Sequence, residues 1–429
     1  MNRRHFLTAG VPVSAGLTMG TAHPAMAASE SKRVLSVTDF GAEGDGRADD
    51  TAAVQRTFDA VTDFGCIYFP LGTYRLTNTV TLHECRNVRI TGDGAGSRII
   101  ADTEMKDLIR LEQSFHSGMI DHLTIDGNGR AETALRVVGG SYSRMDNLEV
   151  WNARNICIHC GRTDDIKSGV ECMITNSRIV GMRQEKPTDP GTQRGILVGG
   201  HWSDGHYNNL VIKGCVDTAM EVQGGTNVIH EAHIYRSPCF QFRHALRVKG
   251  VAYIAQSYMD NFTHTGIEVL AGGTLIQTCF FLRWTAAFGD GPVSHGDCIR
   301  IGDAEKHVKN VSILGCNFMN WLPDEPRYAN GDLTTIQLVN GSNVISRDHQ
   351  YENVPPGETE GSGSVIVPIG HNRVEVEHQL IGTPRTVQLT PVGQADGGSW
   401  VENLGDTQFT VRLANAPIRD LQIFWNAKS

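Results

Sequence analysis

The chain reads as all-β, a solenoid of stacked parallel strands, on three observations. A short phrase ending near glycine recurs at Ala134–Val137, Gly195–Val198, Ala219–Val222, Gly266–Val269, Cys298–Ile301 and Thr335–Leu338. A second phrase, usually led by asparagine, recurs at 87–90, 147–150, 209–212, 227–230 and 310–313. Both alternate apolar and polar residues, as strands with one buried face do, and a repeat of twenty-odd residues is too short to bury its own apolar face unless neighbours stack. Helical periodicity is confined to one run near the N-terminus, and two-residue hairpin turns between the strands are missing, which argues against a sandwich.

Taken in order, residues 1–27 read as an export signal. Arg3-Arg4 precedes Phe6-Leu7, an apolar stretch and a small-x-small step at Ala25-Met26-Ala27, in the order of a twin-arginine leader, so periplasmic or secreted localisation is expected. No later stretch is long and apolar enough to span a bilayer, so no membrane contact is expected after signal removal. The solenoid follows over 28–354. At its start, Asp49-Asp50-Thr51 reads as a helix N-cap before the amphipathic run Ala52–Asp63, and Gly65–Pro70 as the first strand. Asp45, Asp49 and Asp50 are therefore assigned to capping. Between Ala219 and Gly266, Phe240-Gln241-Phe242 is taken as the intervening copy. After Tyr351 the composition shifts; 355–364, rich in Pro, Gly, Ser and Glu, reads as a linker, and 365–429 as a C-terminal β module.

The 429 residues are 40% hydrophobic and 20% charged, enough for a large core, and the formal net charge of −9 argues against nucleic acid as a partner. Ten cysteines in an exported chain suggest disulfides, but Cys215, Cys279 and Cys316 each follow an Ile-x-x step and read as one buried ladder slot. Cys157-Ile158-His159-Cys160 resembles a metal clip, yet residues three apart on a strand face opposite sides, and no spaced ligand set is visible, so no metal is expected.

Val37–Ala42, Gly44–Gly46, Asp49–Gln55 and Tyr68–Tyr74 together resemble the opening of the pectate-lyase-like superfamily, the group of rhamnogalacturonases, polygalacturonase relatives, epimerases and phage tailspikes. The resemblance implies a right-handed parallel β-helix that acts on polysaccharide. Residues 365–429 resemble the small β-sandwich modules of tailspike-like proteins, which implies sugar adhesion or a homotrimer, or a plain end-cap.

Superimposing the repeated strands puts Arg136, Leu197, Glu221, Gln241, Glu268, Arg300 and Gln337 in one outward column. With rungs about 4.8 Å apart, Glu221 and Glu268 would stand roughly 9 to 10 Å apart, near the upper edge of the inverting-glycosidase range. Asp217 and His264 hold equivalent turn positions before their strands. Asp297 and Arg300, in Gly296-Asp297-Cys298-Ile299, resemble the Asp-Asp-Cys-Ile stretch of polygalacturonases with glycine for the first aspartate. Long insertions at 182–194, 282–297 and 319–333 carry Trp284, Trp321 and Arg327, and Trp202 follows the first; indole faces stack on sugar rings.

The expectation is an exported glycoside hydrolase with Glu221, Glu268, Asp217 and Asp297 as acids and bases, Arg300 orienting substrate, and Trp202, His264, Trp284, Trp321 and Arg327 binding it. The alternatives are a lyase cleaving uronate-containing glycan, with calcium as its one possible cofactor, and a non-catalytic glycan-binding trimer.

Overall fold

The computed structural model describes residues 34–429 except 113–114, 162–168, 183–190, 236–242, 261, 263, 284–295, 321–334, 353 and 394. The export signal and the insertion residues Trp284, Trp321 and Arg327 lie outside the described residues. Among the described residues one sheet has 19 strands, a second has ten and a third has three, all paired in parallel. The chain passes from the long sheet to the ten-stranded sheet and back once per coil, a right-handed parallel β-helix as the sequence predicts.

Apolar ladders fill the interior. On the ten-stranded sheet Val80, Ile109, Leu135, Ile158, Ile196, Met220, Leu246, Ile267, Ile299 and Ile336 align rung upon rung, and nearly all are closed to solvent. Each rung buries such side chains against its neighbours, at about 1.5–3 kcal/mol apiece. That gain is available only in the stack, which is why the repeat is legible as an alternation.

The asparagine-led phrase has a backbone cause. Asn147, Asn176 and Asn209 adopt left-handed φ of 49 to 51° in the middle of their long strands, and Asn209 donates to Asn176, which donates to Asp146. Each left-handed residue bends its strand, and asparagine tolerates that conformation best after glycine. His122, Glu231, Gln256 and Thr278 make the same bend in neighbouring coils. The phrase at Asn227 is therefore out of register by four residues, since Glu231 holds the bend.

At the N-terminal end the helix Thr51–Ala60 lays Ala53, Val54, Thr57 and Phe58 over the first coil. Asp49 caps it, accepting from the Thr51 amide at 3.1 Å, while buried Asp50 instead ties down the preceding loop by accepting from the Glu43 and Gly44 amides. Asp45 closes its own turn through Arg47 and Ala48.

The expected linker begins its sandwich early. The strand Glu360–Val367 pairs antiparallel with Leu421–Lys428, and Thr359 Oγ1 accepts from the Ser346 amide, so this stretch is docked to the last coil. Its glycines serve packing: a Cβ at Gly363 would come within 2.9 Å of the Trp425 ring. Two three-stranded antiparallel sheets enclose Val367, Phe409, Val411 and Ile423.

The described cysteines are free and mostly buried. Cys279 and Cys316 occupy one slot on adjacent rungs, but Leu210 holds that slot in the coil of Cys215, which lies in the next strand instead. Cys157 and Cys160 are both closed off in the core rather than facing opposite sides, and among the described residues no group of three metal-ligating side chains exists.

Candidate active-site face

The outward face of the ten-stranded sheet carries two polar columns three residues apart. In register, the first runs Arg110, Arg136, His159, Leu197, Glu221, Arg247, Glu268, Arg300 and Gln337. Strand His244–Val248, not Phe240–Phe242, is the coil between Glu221 and Glu268, so Arg247 replaces Gln241 in the column, and Gln241 lies outside the described residues. The second column runs Asp107, Thr133, Ile156, Arg194, Thr218, His244, Thr265 and Asp297.

Glu221 and Glu268 thus share a column two rungs apart, as expected, but neither lines an open trough. Glu221 is 0% exposed. It accepts from Arg194 Nε at 2.9 Å, Lys249 Nζ at 2.7 Å and Gln223 at 3.2 Å. Although burial opposes its charge, these donors together drive its pKa down to about 2, so it stays ionised and cannot serve as a proton donor at neutral pH. Glu268, buried, accepts from Arg247 Nε at 2.6 Å. Adjacent strands place opposite charges face to face, and the sheet neutralises them within its own surface.

Between the two glutamates lies a less self-satisfied patch. His244 is buried, and burial, then Arg247 and the neighbouring ring of His264, hold it down to about 3, so its imidazole is neutral. The two imidazole rings are 4.9 Å apart. Among the described residues His244 Nδ1 and, one rung on, Thr265 Oγ1 are closed to solvent without a hydrogen-bond partner, as is Gln337 Oε1 farther along the face. Unmade hydrogen bonds of buried groups cost about 1–3 kcal/mol each. Asp217 borders this patch on one side, accepting from Thr218 and 3.9 Å from Arg194; Asp297 borders it on the other, 3.7 Å from Arg300.

Farther up the column Arg136 is buried, and among the described residues it has no carboxylate partner; Asp107 and Glu112 are taken by Arg110. Desolvation accordingly lowers the Arg136 pKa. The same cation and Arg194, added to burial, hold neighbouring His159 down to about 3.

The structure therefore gathers Asp217, Glu221, His264, Glu268, Asp297 and Arg300 on one face. Trp202 is not among them. It is fully buried on a two-residue strand of the third sheet, its ring against Gly169, where a Cβ would come within 2.6 Å. Arg136, His159, Arg194, His244, Arg247 and Lys249 were not chosen as site residues from the sequence. The signal was present: Ala245-Leu246-Arg247-Val248 repeats Ala134-Leu135-Arg136-Val137 residue for residue.

Mannuronan C5-epimerase AlgE2 of Azotobacter vinelandii is 37% identical over 121 residues, 24% of this chain and 12% of that protein. Alginate lyase 7 of the same organism is 37% identical over 107 residues, 22% of this chain and 12% of that protein. The chain thus spans about an eighth of the length of these relatives. Among solved structures, ORF18 of Geobacillus virus E2 superimposes with a TM-score of 0.62 at 15% identity, covering 90% of this chain and 77% of that one, a likeness of fold. Residues 34–268, more than half of the sequence, match the family described as rhamnogalacturonase A/epimerase, pectate lyase-like, and to that family the chain belongs.

Proposed function

We propose that the protein is a polysaccharide-modifying enzyme that works on a uronate-containing glycan along the face of the ten-stranded sheet, by proton transfer next to the sugar carboxylate. The unpartnered patch of His244 and Thr265, walled by Asp217 and Arg194 on one side and by Glu268, Asp297 and Arg300 on the other, carries this reading. Removing a proton beside a carboxylate requires a cation to hold the developing negative charge and a base that is uncharged beforehand. Arg300 and Arg247 stand for the first requirement, and the His244–His264 pair for the second. Burial is the main reason His244 is held neutral, and an anionic sugar entering here offsets the arginines that add to it, which favours proton uptake by the imidazole when substrate is present. Arg136, four rungs away, suits a second carboxylate of the same chain. The curated relatives, named for C5 epimerisation of mannuronan and for alginate cleavage, favour the same substrate class.

One observation favours glycoside hydrolysis instead: Glu221 and Glu268 lie in one column, roughly 9 to 10 Å apart by rung spacing. That route needs a protonated carboxyl, which Glu221 does not supply, so Glu268 or Asp297 would have to. Incubation with alginate, polygalacturonate and neutral glycans separates the outcomes. An unsaturated product absorbing in the ultraviolet identifies elimination, inverted C5 signals in proton NMR identify epimerisation, and new reducing ends without either identify hydrolysis and overturn the proposal. An unaltered polymer in every case overturns the proposal and favours the non-catalytic glycan-binding alternative.

A further inference from the structure

Around the corner from the polar face, the long sheet carries a second cluster. Its outward positions place Lys213, Tyr235 and Asp260 in one column and His233, Tyr258 and Phe280 in the column two residues earlier. All six side chains are half-buried. The rings of His233 and Tyr258 lie parallel, 4.5 Å apart with 3° between their planes. Tyr235 lies 4.7 Å from His233, Phe280 meets Tyr258 edge-on at 5.0 Å, and Lys213 Nζ sits 5.5 Å over the Tyr235 ring.

Such a ladder could be a plain aromatic packing surface, but its polar atoms argue otherwise. Asp260 Oδ1 and His233 Nε2 are both closed to solvent and make no hydrogen bond among the described residues. Burial pushes the pKa of the Asp260 carboxyl up to about 6, the nearby Tyr258 hydroxyl offsetting part of that rise. An aliphatic residue would fill the Asp260 position without the desolvation cost, as Leu282 does one rung later in the same column. Two unmet hydrogen-bonding groups set among flat rings are what a sugar requires: ring carbons against aromatic surface and hydroxyls at the polar atoms.

We propose that this cluster is a second saccharide-binding site, specific for an uncharged pyranose ring. A uronate is disfavoured, because its carboxylate would meet that of Asp260. The site therefore differs in ligand class from the arginine-bearing face. Asp260 and His264 are only four positions apart, so the two sites lie within about 13 Å along the backbone. A neutral side branch or neighbouring sugar on a mixed polysaccharide fits here while its acidic partner occupies the polar face. The inference concerns binding and stands whether or not the polar face is catalytic.

Affinity electrophoresis of the full chain through gels containing xylan, a neutral β-glucan or galactan tests it, with alginate gels in parallel. The expected result is retardation of the wild type by at least one neutral glycan. Asp260→Asn and Tyr235→Ala should each raise the apparent dissociation constant for that glycan at least fivefold, while Glu84→Gln, at an exposed position near the N-terminal cap, should not. Asp260→Asn keeps the side-chain shape, so it carries the test should Tyr235→Ala fail to fold, which thermal melts reveal. Absence of retardation in all three neutral gels, equal retardation of wild type and Asp260→Asn, or loss confined to alginate gels would each overturn the assignment.

Discussion

The role of Glu221 can be decided by replacing it with glutamine. Its pKa of about 2 against an ordinary 4.5 corresponds to roughly 3 kcal/mol of charge-dependent stabilisation at neutral pH. Because the Arg194 and Lys249 side chains are 28% and 37% exposed, solvent relieves part of the loss, and about 2 kcal/mol is the working figure. Over a 429-residue chain each kcal/mol moves the melting midpoint by about 1 °C, so Glu221→Gln should melt about 2 °C lower at pH 7. The sign with pH is fixed by the depressed value. The carboxylate contributes its full stabilisation above about pH 4.5, and loses it as pH falls through about 2, so the two proteins should converge in acid. Differential scanning calorimetry at pH 7 and pH 3 reads both quantities, with turnover measured in parallel. An unchanged melting point together with abolished turnover would refute the ion-pair account and restore Glu221 as a reacting group.

Other consequences can be checked separately. Arg136→Ala should raise KM for a uronate polymer several-fold with little change in kcat, since it removes a remote cation; an unchanged KM on alginate and polygalacturonate counts against the second carboxylate subsite. His244→Phe should reduce kcat at least 100-fold while leaving binding to alginate gels near wild type, and full activity would move the proton-transfer role elsewhere. Trp202→Ala should cost about 3–5 kcal/mol, read as a lowered melting point, because it empties a fully buried indole site; a loss of glycan affinity at unchanged stability would return Trp202 to the substrate. For Asp260 the sign is opposite to Glu221: with its pKa raised from 3.8 to about 6, wild type loses stability as pH rises through 6, so Asp260→Asn should melt higher than wild type at pH 8 and not at pH 4.

The readings that succeeded and those that slipped differ in the kind of constraint involved. Ala134–Val137 and its counterparts were readable because inward apolar residues must alternate in any stacked coil. Asn147 and Asn209 were readable because their bend needs a left-handed residue, yet Glu231 was missed, since the bend tolerates other side chains when the stack pays for the strain. Phe240-Gln241-Phe242 was taken as the copy between Ala219 and Gly266 where His244–Val248 forms the strand, and that one misplaced rung hid the Arg247–Glu268 pair. Trp202 carried the chemistry of a sugar platform but sits where a coil closes on itself, and nothing local distinguishes an indole that covers a glycine from one that faces a ligand.

By itself, then, the sequence determined the coil: period, inward residues and capping helix follow from alternation and turn chemistry, which act between residues close along the chain, while the terminal sandwich was implied by resemblance. Which carboxylate is quenched by a cation and which imidazole is left wanting a partner was decided only when coils stacked. Glu221 meets Arg194 and Lys249 across rungs 27 and 28 residues distant in sequence. Electrostatics and desolvation depend on those distances in space, to which no local pattern is bound.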